Sequence, residues 1–308
     1  MNVAAHASPR LAFTGLSGFV GSAVAARLHR EYMLLDLYHR TPVGSEVAAM
    51  AVQLRDDDGA DAVGAADEWG ALALINIGAA ADVDACERER GDRSGSVYQA
   101  NVVVPRALAR ACAEHKLRFV HVSTDYVFDG NAGPYREDDV PTVAANWYGQ
   151  SKLDGEKAVL DANPAAAIVR PSLPYGREHP RKRDIVRLVR SRLSAGQTFG
   201  GVVDQFITPT LLDDLGDGLA ALAATSGSGI YHVAGATILS PYDAALIVAR
   251  TFGLDERLVQ PSTLVAITQG GRAPRPRATA LLCSRLQREF GPALRLKGFA
   301  EGVGLLRE

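Results

Sequence analysis

Cysteine is scarce in this chain. There are three in 308 residues, Cys86, Cys112 and Cys283, and they are scattered. They make neither a metal-ligand spacing nor a disulfide framework, so a reducing cytoplasm is the expected setting. An excess of one charge is missing too. The formal net charge is −2, which leaves no basic footprint, and no nucleic-acid partner is expected. No apolar run approaches the length that spans a bilayer, so no membrane partner is expected either. The opening "MNVAAHASPR" lacks the apolar segment of a secretory signal. The seven histidines show no closely spaced ligand pattern, and no metal is expected. What is present is ordinary for a globular protein: 47% apolar and 22% charged residues.

Short apolar runs alternate with longer amphipathic ones. "RLAFTG" reads as a buried strand and "FVGSAVAARLHREY" as a helix, with Val20, Val24 and Leu28 on one face. "YMLLDLY", "ALALINIGAA", "RFVHVSTDYVF" and "AAIVRPSLPYG" read as further strands. "NVVVPRALARACAEH" and "YGQSKLDGEKAVLDA" read as helices between them. Strand and helix in alternation predict an α/β fold, a Rossmann-type doubly wound parallel sheet. After about residue 172 the rhythm changes. Residues 1–172, completed by segments within 197–237, form the expected cofactor-binding core. Residues 173–308 are mainly a smaller C-terminal substrate-binding part. Within it, Ser240 and Pro241 are the expected cap and first residue of one helix.

"TGLSGFVG" sets Gly15, Gly18 and Gly21 three residues apart, between a strand and a helix. That is the context of a dinucleotide-binding turn. Gly15 allows a sharp turn, Gly18 a close approach to a pyrophosphate, and Gly21 tight helix packing. Gly15, Ser17, Gly18, Phe19 and Val20 are therefore the expected phosphate-binding turn, at a helix N-terminus that favours anions. Asp36 follows Gly15 by 21 residues and suits a ribose 2′-hydroxyl, as in NAD. Arg40 suits the 2′-phosphate of NADP. The cofactor is NADP or NAD, with Arg40 inclining the choice to NADP. Asp56 reads as a plain loop acid.

Tyr148 and Lys152 share one helix face at i, i+4. A nearby ammonium lowers a phenol's pKa, which suits Tyr148 to act as an acid toward a carbonyl oxygen, with Lys152 beside it. Ser123 and Thr124 stand at the end of an apolar strand, where open α/β sheets bind ligands. Arg177, with Arg181, Lys182 and Arg183, lies just beyond a strand end and suits a diphosphate.

Taken in order, "TGLSGFVGS", "VHVSTDYVFDG", "YGQSKLDGE", "RPSLPYG" and "DQFITPT" resemble the extended short-chain dehydrogenases/reductases. The subgroup they are most similar to is the dTDP-4-dehydrorhamnose reductases. The resemblance covers most of the chain. It implies a Rossmann core with a sugar-nucleotide part and a catalytic Thr124, Tyr148 and Lys152. Asp125 and Tyr126 would lie beside the substrate, Ala79 and Ala80 beside the cofactor, and Asn101 on a helix near them. Its "RAPRPRATALLCSRL" tail also looks like the family's Arg-Pro segment. Two departures mark the specificity shell. Leu173 stands where the family carries Trp, and positions 81 and 82 lack its Tyr-Thr pair.

The activity so implied is NAD(P)H-dependent reduction of the 4-keto group of a nucleotide-linked deoxysugar. It allows a homodimer. Two alternatives stay open. One is a sugar-nucleotide epimerase or dehydratase, although Asp125 is followed by Tyr126 rather than the dehydratase Glu. The other is an NADP-binding regulatory subunit, like that of methionine adenosyltransferase.

Overall fold

The computed structural model describes residues 8–55, 59–176, 178–180 and 182–307. Seven strands form one parallel sheet. They are β1 (Arg10–Thr14), β2 (Met33–Tyr38), β3 (Met50–Gln53), β4 (Ala73–Asn76), β5 (Arg118–Val122), β6 (Ala167–Arg170) and β8 (Gly229–His232). Their spatial order is β3-β2-β1-β4-β5-β6-β8, so the order reverses between β1 and β4. Such a reversal opens a crevice at the carboxyl ends of the two strands. The strands are short and almost wholly apolar because helices cover both faces.

Side chains alternate between two cores. Leu11, Phe13, Ile75 and Val120 pack under the helices Phe19–Leu28 and Leu212–Ala223. Ala12, Leu74, Phe119 and Ile168 pack with the helices Ala60–Glu68 and Val104–His115 on the other face. The helix Val104–His115 carries Pro105 in its first turn, where a missing N–H costs nothing. A π-wound turn, Gln99–Val103, leads into it.

A third apolar cluster gathers residues from the C-terminal part. Val186, Val189 and Leu193 of the helix Ile185–Ser194 meet Ala244, Ala245 and Val248 of the helix Pro241–Phe252. Ser240 caps that second helix in a reciprocal box with Asp243, and Pro241 is its first residue, as the sequence predicts. Here β7 (Phe199–Val202) pairs in parallel with β9 (Val259–Ser262) as a separate two-stranded sheet. Neither β3 nor β9 is evident in the sequence. One is a mostly exposed edge strand and the other carries Pro261. Among the described residues no helix is long and apolar enough to cross a membrane.

Candidate active site

The chain leaves β1 at Thr14 and turns at Gly15, whose φ of +82° puts it in the left-handed region. A Cβ there would stand 2.6 Å from the backbone nitrogen of Gly78, and one on Gly21 would stand 2.2 Å from the Gly15 carbonyl. Both positions therefore need glycine for close approach. Gly18 is the N-cap of the helix Phe19–Leu28 and makes no side-chain cap. The first N–H groups of that helix are left for an anion.

A cleft of about 670 Å³ opens beside this turn. Of the residues expected to hold a cofactor, Gly15, Ser17, Asp36, Arg40, Ala79 and Ala80 line it. Gly18, Phe19 and Val20 start the helix without lining the cleft. Phe19 faces instead the ring of His179 at 6.0 Å and the amine of Lys182 at 5.8 Å. Asp36 is fully buried at the end of β2. One carboxylate oxygen accepts from the Val43 N–H at 2.7 Å and the other has no partner. Burial pushes its pKa up. A dinucleotide fits this donor set: uncapped helix N–H groups for its phosphates, and an orphaned carboxylate oxygen for a hydroxyl. Arg40 is exposed at the rim of the same cleft. Ala80 is held in place by Asn101, which accepts from the Ala80 N–H at 2.9 Å and donates to its carbonyl at 3.0 Å.

The helix Trp147–Ala162 carries Tyr148 and Lys152. Its start is fixed from three sides. Asn146 accepts from the Gly149 N–H at 2.8 Å and donates to the Pro274 carbonyl at 2.9 Å. Glu87 accepts from the Trp147 N–H at 2.8 Å. Further along, Glu156 is bridged twice, at 2.9 and 2.6 Å, by the buried guanidinium of Arg170 on β6. Tyr148 packs beside Ala80 against Cys86, Val97 and Trp147, so it sits next to the cleft wall. The ring of Tyr126 meets it edge-on at 6.1 Å.

Thr124 ends the loop after β5 and is buried. Its hydroxyl accepts from the Tyr126 N–H at 3.2 Å and donates to Asp125 at 3.1 Å. Asp125 also accepts from the Ser172 hydroxyl at 2.8 Å, and Ser172 is braced in turn by Thr210. Asp125 is thus buried behind Thr124, and burial raises its pKa to about 6. Arg177, the expected diphosphate contact, lies outside the described residues, as do Asp56 and Arg181.

One expectation is corrected. Lys152 does not lower the Tyr148 pKa. Burial pushes the phenol up, and the neighbouring Thr124 hydroxyl is what pulls it down. The lysine amine turns the other way, donating to the Val122 carbonyl at 2.7 Å and lying 3.3 Å from Nε2 of His121. Burial lowers its own pKa to about 8. A raised phenol pKa keeps Tyr148 protonated at neutral pH, which is the form a proton donor needs.

Asn76, His121, Asn146 and Ser172 support the site and are missed by sequence reasoning. The signal was present for two of them: a polar residue within the last two positions of an otherwise apolar strand, as in "ALIN" and "RFVHV".

Residues 9–303 match the family model described as RmlD substrate binding domain. The dTDP-4-dehydrorhamnose reductase of Mycobacterium tuberculosis is 36% identical over 89% of this chain and 85% of its own length. A probable low-salt glycan biosynthesis reductase of Haloferax volcanii is 32% identical over 90% of this chain and 91% of its own. The crystal structure of a dTDP-4-dehydrorhamnose reductase from Clostridium acetobutylicum superposes with a TM-score of 0.80 at 27% identity, covering 97% of this chain and all of that one. With the glycine turn, the Thr124 hydroxyl and the Tyr148–Lys152 helix gathered at one end of the sheet, the chain belongs to the RmlD substrate binding domain family, among the extended short-chain dehydrogenases/reductases.

Proposed function

We propose that this protein reduces the 4-keto group of a nucleotide-linked deoxysugar, with dTDP as the expected nucleotide. The observation that carries the reading is the meeting of two buried or half-buried hydroxyls, Thr124 and Tyr148, beside a cleft built for a dinucleotide. NADPH or NADH, when bound, supplies hydride to the carbonyl carbon. Gly15, Ser17, Gly18, Asp36, Arg40, Ala79 and Ala80 would hold it, with Arg40 favouring the 2′-phosphate of NADP.

In this reading Tyr148 donates its proton to the carbonyl oxygen. Thr124 turns its hydroxyl from Asp125 to the same oxygen and stabilises the developing negative charge. One such donor is typically worth about 3 kcal/mol of barrier. Lys152 lies one turn below Tyr148 and holds the nicotinamide side of the cofactor. The C-terminal part, from residue 173, takes the sugar nucleotide. Leu173, exposed and held at a φ of +35°, sits three residues beyond the end of β6 at Arg170, next to Ser172, where the sugar would enter. A cytoplasmic setting suits this chemistry, as do three buried free thiols.

Replacing Tyr148 with Phe tests the reading. NADPH oxidation with dTDP-4-dehydrorhamnose should fall by about 10²- to 10⁴-fold in kcat, while NADPH binding holds. Undiminished turnover would remove Tyr148 from the chemistry and the reductase reading with it.

A further inference from the structure

Three polar side chains stand in one row across the carboxyl ends of adjacent strands. Thr14 lies opposite Asn76 and Asn76 opposite His121 in the sheet register. The Thr14 hydroxyl donates to Asn76 Oδ1 at 2.6 Å. Asn76 Nδ2 is 2.9 Å from His121 Nδ1, and His121 Nε2 is 3.3 Å from the Lys152 amine. Asn76, His121 and Lys152 are all buried, while Thr14 and Asn76 line the cleft. The row therefore runs without a break from the cofactor cleft to the lysine. The reduction chemistry makes no use of His121.

The ring is neutral, because burial and the adjacent Lys152 push its pKa far down. A neutral imidazole has one donor and one acceptor nitrogen. Two hydrogen-bond patterns then satisfy the whole row. With the lysine charged, the ammonium donates to Nε2. Nδ1 carries the ring hydrogen and needs the oxygen of Asn76, whose amide is turned over, so that its NH₂ donates to the Thr14 oxygen. With the lysine neutral, Nε2–H donates to the amine lone pair. Nδ1 accepts from Asn76 Nδ2, and Asn76 Oδ1 accepts from Thr14, which is the amide orientation of the structure. Passing from the first pattern to the second releases one proton to solvent and moves the ring hydrogen from Nδ1 to Nε2. The other titratable groups around the amine are Tyr148 and Glu156, one turn to either side on its own helix. Glu156 is paired with Arg170 of β6.

We propose that His121 is a positioning residue for Lys152, and that the row Thr14–Asn76–His121 matches its hydrogen-bond direction to the charge of the amine. The cofactor cleft is the far end of this relay. With the lysine charged, the Thr14 hydrogen is free to point at a ligand in the cleft. With the lysine neutral, it is committed to Asn76. The proposal deepens the reductase reading, since Lys152 belongs to that site, but its test does not depend on turnover.

The test is two-bond ¹H–¹⁵N correlation of the full chain labelled at its seven histidines, from about pH 6 to about pH 10. The signal that disappears in His121→Gln identifies the ring. Should that variant not fold, the spectrum of Lys152→Met identifies it by its altered shift. The expected result is a neutral ring whose hydrogen moves from Nδ1 to Nε2 with a midpoint near the lysine's value of about 8. In Lys152→Met a single tautomer should persist throughout. NADPH affinity, read by its fluorescence, should weaken about five-fold across the same midpoint, the worth of one neutral hydrogen bond. That dependence should be flatter in Thr14→Val. One tautomer across the whole range in the parent protein, an imidazolium signal, or the same switch in Lys152→Met would overturn the relay. A parent that switches but reduces no ketosugar overturns the function and leaves the relay standing; a parent that reduces ketosugar without switching does the reverse.

Discussion

Two rows of side chains cross β1, β4 and β5 one residue apart, and they have opposite characters. Phe13, Ile75 and Val120 turn to one face and are wholly buried among aliphatic neighbours. Thr14, Asn76 and His121 turn to the other face and are hydrogen-bonded to one another. A strand's side chains alternate, so a single step along the chain changes a core position into a floor for chemistry. Both rows are largely shielded from water, the polar one meeting it only where Thr14 and Asn76 line the cleft, but they are held differently. The apolar row is held by area removed from water and tolerates no loss of volume. The polar row is held by a closed set of donors and acceptors and tolerates no loss of a partner.

The largest stability effect should come from the apolar row. Phe13→Ala removes a fully buried ring and should cost about 3–5 kcal/mol in urea unfolding. The folded fraction should keep its NADPH affinity, and a weakened affinity would mean that the two rows are not separable.

Next comes Asp125, which lies beyond the polar row in the loop that follows β5. Its folded pKa, about 6, is raised above the ordinary 3.8. The folded protein therefore holds this proton more firmly than the unfolded chain does. The penalty for burying the carboxylate is absent below about pH 4 and complete above about pH 6, where it reaches ~3 kcal/mol. Asp125→Asn has no such penalty, so its Tm relative to the parent should climb as pH rises through that window. A difference that stays constant with pH would show that the carboxylate is not confined as described.

The smallest effect belongs to the polar row itself. Asn76→Leu leaves the Thr14 hydroxyl and the His121 ring without their shared partner and should cost about 1–3 kcal/mol. Unlike Phe13→Ala, it should also weaken NADPH binding, because Asn76 lines the cleft. Equal NADPH affinity in the two variants would erase the contrast between the rows.

The apolar row was easier to read from the sequence than the polar one. "RLAFT" and "RFVHV" announce buried strands by their aliphatic residues, and the three spaced glycines announce the turn by a steric need that few other residues meet. Tyr148 and Lys152 were legible because helical spacing puts them on one face. The direction of the lysine amine was not. It depends on which buried acceptors converge there, and Val122 and His121 come from a strand about thirty residues away in sequence. In the same way Asn146 was invisible as a hub, since its second partner, Pro274, is 128 residues distant. The positive φ of Leu173 has no sequence signal either, because leucine rarely adopts it.

The two halves of the site also differ in when they can exist. Among the described residues, all those lining the cofactor cleft come from positions 14 to 108. The seat of Tyr148, in contrast, needs Pro274 on Asn146. The loop bearing Pro274 is itself pinned where Asp84 accepts from the Ala273 N–H at 2.9 Å and from Arg275 at 3.0 Å. A polypeptide emerging from the ribosome therefore has the lining of its dinucleotide cradle made early, while that cradle still waits for the helix Leu212–Ala223 that packs against it and its acid stays unanchored until the last tenth or so of the chain has followed. Reduction is in this sense a property of the finished molecule.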